Sequence, residues 1–192
     1  MGVRRKLGLP WRLVHAVTGN LLNYQTPGQV NCTLTSLASG SARESDVVDN
    51  TTNKYLDYLI SLTFTIASGS PSTGGAYINV YANGSVDGVL WPQIELTGGT
   101  TKSTGAGDAS VGALGAPPNL RLIGSFGVQS TTSSGERTFR TQPMSVAQAF
   151  GGNVPEKFSI VVENQVGVAF SASTASTAQY LQQGGISTTS GN

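Results

Sequence analysis

Between residues 56 and 66, Leu56, Tyr58, Ile60, Leu62, Phe64 and Ile66 alternate with Asp57, Ser61, Thr63 and Thr65, and only Leu59 breaks the polar side. Successive side chains of a strand point to opposite faces, so this run predicts one half-buried strand. At 3.6 residues per turn the same apolar residues would scatter around a helix. Residues 76–82 alternate again, with Ile78 and Val80 on one side and Tyr77 and Tyr81 on the other. The NGSVDG that follows holds Asn83-Gly84 and Asp87-Gly88, pairs that tolerate positive φ, and predicts one or two tight reversals. Residues 89–91 read as a short strand stopped by Pro92. Further strands are expected at 31–38, 120–128, 137–150, 157–163 and 166–175, with shorter signals at 44–48 and around Tyr180.

About eight strands with no long helix among them, and no alternation of strand with helix, argue against a parallel sheet. The expected fold is all-β: an antiparallel β-sandwich, jelly-roll-like, preceded by an extended or short-helical basic N-terminal arm. No Cys-Trp-Cys pattern points to an immunoglobulin-type sandwich instead. Residues 97–118, TGGTTKSTGAGDASVGALGAPP, carry almost no large side chain and read as a long Gly-rich loop without a core of its own. The expected organisation is therefore an arm over 1–30, a sandwich body over 31–183 and a flexible tail over 184–192.

Composition sharpens the division between arm and body. Only 11% of the residues are charged, well below the roughly 25% of an average soluble domain. Up to Arg43 there are five basic residues (Arg4, Arg5, Lys6, Arg12, Arg43) and no acidic one; from Glu44 onward there are six basic and ten acidic residues. A cationic leader ahead of a weakly acidic body suits contact with an acidic neighbouring surface or a phosphate backbone. Within the leader, Leu13, Val14, Val17 and Leu21 recur at helical spacing behind Trp11, and the pattern breaks at Gly19-Asn20. An isolated helix of that length is marginal in water and needs a surface on which to bury its stripe, expected to be a partner's, with the chain's own body as the alternative. Arg4, Arg5, Lys6, Trp11, Arg12, Leu13 and Val17 are accordingly the expected partner-binding residues.

The candidates for chemistry are few. Cys32 is the only cysteine and His15 the only histidine, so no intrachain disulfide, Cys-rich zinc site or three-His metal site can form. A Ser-His-Asp triad would have to use a histidine inside the basic arm. Gly105-Ala106-Gly107 lacks the lysine and helix of a phosphate loop. Asp46, Asp49, Asn50 and Asn53 are oxygen-rich, but their spacing is not that of an EF-hand and reads as an Asx-rich turn. No run of 18 apolar residues occurs, so no membrane span is expected. The body has no basic stripe with interleaved aromatics, so no nucleic-acid reader is expected. The reading is of a protein that is not an enzyme and uses no cofactor or metal.

The basic arm, the low-charge Ser/Thr/Gly-rich sandwich and NGSVDG between aromatic-bearing strands together resemble the head decoration, or cement, proteins of tailed bacteriophages. That resemblance implies a jelly-roll-like body on the capsid exterior of a virion. It implies assembly with itself, often as trimers, and arms lying across seams between major capsid protein subunits. Two other readings stay open. One is a small icosahedral virus coat protein with a genome-facing arm, for which five basic residues are few. The other is a carbohydrate-binding module stacking sugars on Trp91, Tyr77 and Tyr81.

Overall fold

The computed structural model describes residues 28–52, 54–99, 101–102, 104–105, 107–115, 119–129, 135–173 and 177–183. Within them the chain forms β1 (Gly28–Gln29), β2 (Ser41–Glu44), β3 (Val48–Asp49), β4 (Asp57–Ile66), β5 (Tyr77–Ser85), β6 (Ile94–Glu95) and β7 (Thr101–Lys102). It continues with β8 (Ala109–Gly112), β9 (Arg121–Gly127), β10 (Arg137–Arg140), β11 (Met144–Ser145), the one-turn α1 (Val146–Ala149), β12 (Lys157–Gln165) and β13 (Thr177–Gln183). One sheet has the order β1-β13-β4-β10, with β11 also on β4. The other has the order β8-β2-β12-β5-β9, with β3 also on β12, and β6 and β7 form a small ribbon. Every pairing is antiparallel. Strands β2, β4 and β5 alternate between the two main sheets, and β12 returns to lie between β2 and β5. Those crossings give the all-β sandwich its jelly-roll-like character.

The alternation read in the sequence builds the core. Tyr58, Ile60, Leu62, Phe64 and Ile66 of β4 are all buried and meet Ile78, Val80 and Ala82 of β5 and Phe158, Ile160 and Val162 of β12. The Tyr58 and Phe158 rings meet edge to face at 5.0 Å, and Phe64 stacks on Phe139 and Phe170 at 5.3 and 5.5 Å. The first residues of β4 and β12 therefore lie at the same end of the sandwich.

The stretch 97–118 departs from the expectation of a coreless loop. It holds β7 and β8, and β8 pairs with β2 as an added strand. Val111 and Leu114, with Ile94 ahead of them, pack on Ala42, Tyr81 and Val161, which face outward from the second sheet. A second, smaller core results, and the sheet is covered on both faces. Small residues serve this layer because it lies so close to the sheet. Gly105, at φ +78°, has its backbone N–H on Glu44 Oε1 at 3.0 Å, and a Cβ there would fall 2.5 Å from the Trp91 ring.

Several strand boundaries also differ. Residues 31–38 form no strand, although Val30, Cys32 and Leu34 are buried in alternation. Their backbone instead ties separate segments together: Asp46 N–H donates to Asn31 O, and Ser36 N–H to Ser171 O. Asn83-Gly84 is not a reversal but lies inside β5, opposite Ser159 and Phe158. The glycine is needed for space, because a Cβ would stand 2.5 Å from Pro155 Cγ and 2.9 Å from Phe150 Cζ. The expected strand 137–150 divides into β10, β11 and α1. Asp57 fixes the turn of helix, accepting from Ser145 Oγ and Ala147 N at 2.7 and 2.8 Å. Among the described residues of 166–175 there is a single bridge, Ile66 to Phe170, and 89–91 is not a strand. The strand around Tyr180 is present as β13, between β1 and β4.

Candidate interaction surface

Arg4, Arg5, Lys6, Trp11, Arg12, Leu13 and Val17 all lie outside the described residues, as does His15. What the structure does fix is where the arm joins the body. Gly28 is opposite Tyr180, and Tyr180 is opposite Ile60; Gln29 and Gln179 continue that register to Ser61. Strand β1 thus runs in the same direction as β4. Gly28, the first described residue, is level with Ile60, three rows from Asp57, where β4 begins. The first residues of β4 and β12, with the Tyr58–Phe158 contact, mark that end of the sandwich.

That same end displays the exposed aliphatic residues. Among the described residues, Leu56, Tyr77, Val86, Val89, Leu90 and Leu122 are the large hydrophobic side chains left in solvent. Leu56 immediately precedes β4. Val86, Val89 and Leu90 follow β5, whose last residue, Ser85, is in register with Lys157 and Asp49 at the start of β12 and the end of β3. These four residues, 53% to 82% exposed, therefore share one end. Tyr77 is at the opposite end, and Leu122 is on β9, an edge strand.

The loop that carries three of them is well braced. Asp87 Oδ1 accepts from the N–H groups of Val89 and Leu90 at 2.9 and 2.8 Å and from Ser85 Oγ at 3.0 Å. Those backbone and hydroxyl hydrogen bonds hold the Asp87 carboxyl below its ordinary pKa. Ser85 Oγ in turn accepts from Gly88 N–H at 2.9 Å. Nearby, Lys157 pairs with Asp49 at 3.6 Å, and a cleft of about 260 Å³ opens among Asn50, Lys54, Tyr55, Leu56, Asn153 and Glu156. An aspartate-braced turn thus presents three aliphatic side chains to water. The sequence reading placed 89–91 in a strand and so missed them; Asp87-Gly88 was the available signal.

Elsewhere Asp46, Asp49, Asn50 and Asp108 hold segments of the body together. Asp108 Oδ1 accepts from Arg43 Nε at 2.6 Å and Thr33 N–H at 3.0 Å, and Thr33 Oγ1 donates to Oδ2. Burial opposes ionisation of this carboxyl, but the bonds from Arg43 and Thr33 outweigh it and lower its pKa. The oxygen-rich run does not converge. Asp46 serves Asn31 and Asp108, Asp49 serves Thr51, and Asn50 holds Tyr55 and Tyr58, while Asn53 is outside the described residues. Among the described residues no three His, Cys, Asp or Glu side chains gather as a cation site. Cys32 is buried; burial first, and then Asp108, push its thiol up to about 12.

The three aromatics of the sugar-stacking alternative do not form a platform. Tyr81 is buried and donates to Glu163 Oε2 at 3.1 Å, Trp91 is half-buried against Gly105, and Tyr77 alone is exposed. A second cleft, of about 470 Å³, lies along β9 and α1 and includes Arg121, Ser145 and Gln148. Among the described residues no helix is long and apolar enough to cross a membrane. No protein-family model, no curated protein and no solved structure matches this chain.

Proposed function

We propose that the chain is a structural virion protein, a capsid decoration or cement protein that binds major capsid subunits on the exterior of the head and stabilises the shell. One observation carries this reading: Leu56, Val86, Val89 and Leu90 are exposed at one end of the sandwich, in a chain whose sequence ahead of β1 is cationic. Such an end contributes by surface burial, with Leu56, Val86, Val89 and Leu90 supplying apolar area and the arm supplying charge. A protein that binds the assembled shell more tightly than its separated parts stabilises it by mass action, without chemistry. Repetition by symmetry multiplies a modest contact, and self-association, as in a trimer, would add avidity. The low charge of the body and its many hydroxyl groups suit a surface that is packed against neighbours yet remains soluble.

The test is the company the chain keeps. Particles purified from the source that encodes it are analysed by quantitative mass spectrometry. On this reading the chain is present in a fixed ratio to the major capsid subunit. Its absence from purified particles, with all of it left in the particle-free supernatant, would refute a virion role.

A further inference from the structure

We infer that the edge of β9 is a docking site for an extended segment of another protein, which adds as a strand and places a carboxylate in the cleft beside Arg121. The four edges of the two main sheets are not alike. Strand β1 has two residues, β8 has four, and β10 has four with an arginine at each end. Shortness and charge are devices that keep edge strands from pairing with other chains. Strand β9 has seven residues, Arg121–Gly127, with a charge only at the first, and its register runs straight from Gly124 to Gly127. It pairs with β5 on one side, and no strand follows on the other. About half of the N–H and C=O groups of an antiparallel edge strand point outward. Those of β9 have no hydrogen-bond partner among the described residues. An extended peptide laid along such an edge gains main-chain hydrogen bonds, and its alternate side chains give selectivity.

The cleft at the start of this edge sets the chemistry of the occupant. Arg121 is opposite Ala82 and Leu122 is opposite Tyr81. Ala82 belongs to the main core and Tyr81 to the outer one. The bulge at Ile123 therefore leaves Arg121 facing the cleft between the sheets and Leu122, 54% exposed, facing out. Ser145, Gln148 and Ala149 complete the cleft. The Arg121 guanidinium and the Gln148 amide have no partner among the described residues. Asp57, which borders Ser145, already accepts from Tyr58 N–H, Ser145 Oγ and Ala147 N–H. The incoming strand thus offers a carboxylate on the Arg121 face and an apolar side chain on the Leu122 face. A second copy does not meet that description. No acidic residue occurs from 109 to 135, so β9 paired with itself leaves both arginines without a counter-charge. The site runs beside Tyr77–Ala82 of β5, ahead of the loop of Val86, Val89 and Leu90, and the inference does not depend on the virion reading.

A peptide series tests it on the full ¹⁵N-labelled chain. The probes are capped heptapeptides of alternating Thr and Val with one Glu placed at each position in turn, titrated to millimolar concentration. At least one should bind saturably, shift the amides of 121–127 and of Ser145, Gln148 and Ala149, and slow hydrogen exchange at the outward amides of β9. Replacing its Glu by Gln should weaken binding about fivefold, the upper range for a partly exposed ion pair. Arg121→Gln should weaken the Glu peptide equally and leave the Gln peptide unaffected, with the spectrum away from the cleft unchanged. Failure of every peptide to bind overturns the inference, as do shifts centred elsewhere or equal affinity for the Glu and Gln forms. Outward β9 amides already protected in the monomeric protein alone would assign the edge to the chain's own segments. Protection that rises with protein concentration, together with a sedimenting dimer, would assign it to a second copy. Either result overturns the inference as well.

Discussion

Asp108→Asn would release the Gly-rich outer layer from the body. The carboxylate joins Thr33, Arg43 on β2 and the start of β8, and the Arg43 and Asp108 side chains are 25% and 14% exposed. Hydrogen bonds to charged groups contribute about 1.5–3 kcal/mol each, and removing one partner of a fully buried ion pair costs about 3–5 kcal/mol. Arg43 retains some access to water, and an asparagine oxygen can still accept from Thr33 N–H. The expected loss is therefore about 2–3 kcal/mol, which moves a urea midpoint by about 1–2 M at ordinary m-values. The pH dependence has a definite sign. The folded pKa of Asp108 is depressed, so its contribution is complete above the unfolded value of about 3.9 and is lost as pH falls through the lower folded value. Wild type and variant should differ by a constant amount from pH 7 to pH 5 and converge below pH 4. Urea titrations of both proteins across that range provide the assay. A difference under about 0.5 kcal/mol at pH 7, or one that persists undiminished at pH 3, would refute the role assigned to this carboxylate.

Other perturbations have equally specific outcomes. Gly84→Ala drives a methyl group into Pro155 and Phe150 and should cost about 1–3 kcal/mol by chemical denaturation, as overpacking does; an unchanged midpoint would show that the 150–155 segment yields freely. Cys32, with its thiol pushed up to about 12, should not react with a disulfide reagent at pH 8 until denaturant is added. Tyr81, raised to about 12 first by burial and then by Glu163, should contribute phenolate absorbance only well above pH 10, a late component that Tyr81→Phe removes. Val86, Val89 and Leu90 replaced together by Ser should leave stability within about 1 kcal/mol, because exposed positions contribute little to folding. A larger loss by thermal or urea unfolding would mean that these side chains belong to the body's own packing.

How much of this was legible depended on whether a pattern was local. Strand β4 could be read from 57 to 66 by its period of two, but Leu56, read as the first residue of its apolar face, precedes the strand and is 53% exposed. Strand β12 carried a signal that was not used. Ile160, Val161 and Val162 are apolar on both faces, as in a sheet covered on both sides, and Val161 lies beneath the outer layer. That clue would have assigned Val111 and Leu114 to a second core, whereas glycine content alone suggested a loop. Asn83-Gly84 misled because the same dipeptide serves a turn or a crowded strand, and only Pro155 and Phe150, some 70 residues away, decide between them. The apolar end was missed for a related reason: Val89 and Leu90 look like strand residues until Asp87 is seen holding their N–H groups. The arm's pattern was visible in sequence, but its partner-binding residues lie outside the described ones.

The most direct measurement compares the thermal rupture of expanded capsid shells, stripped of this chain, after adding back the full protein or a version lacking residues 1–23. Full-length protein should raise the rupture temperature, and the truncated form should lose most of that gain while its body stays folded. Shells that rupture at the same temperature with and without the full protein would contradict a stabilising role.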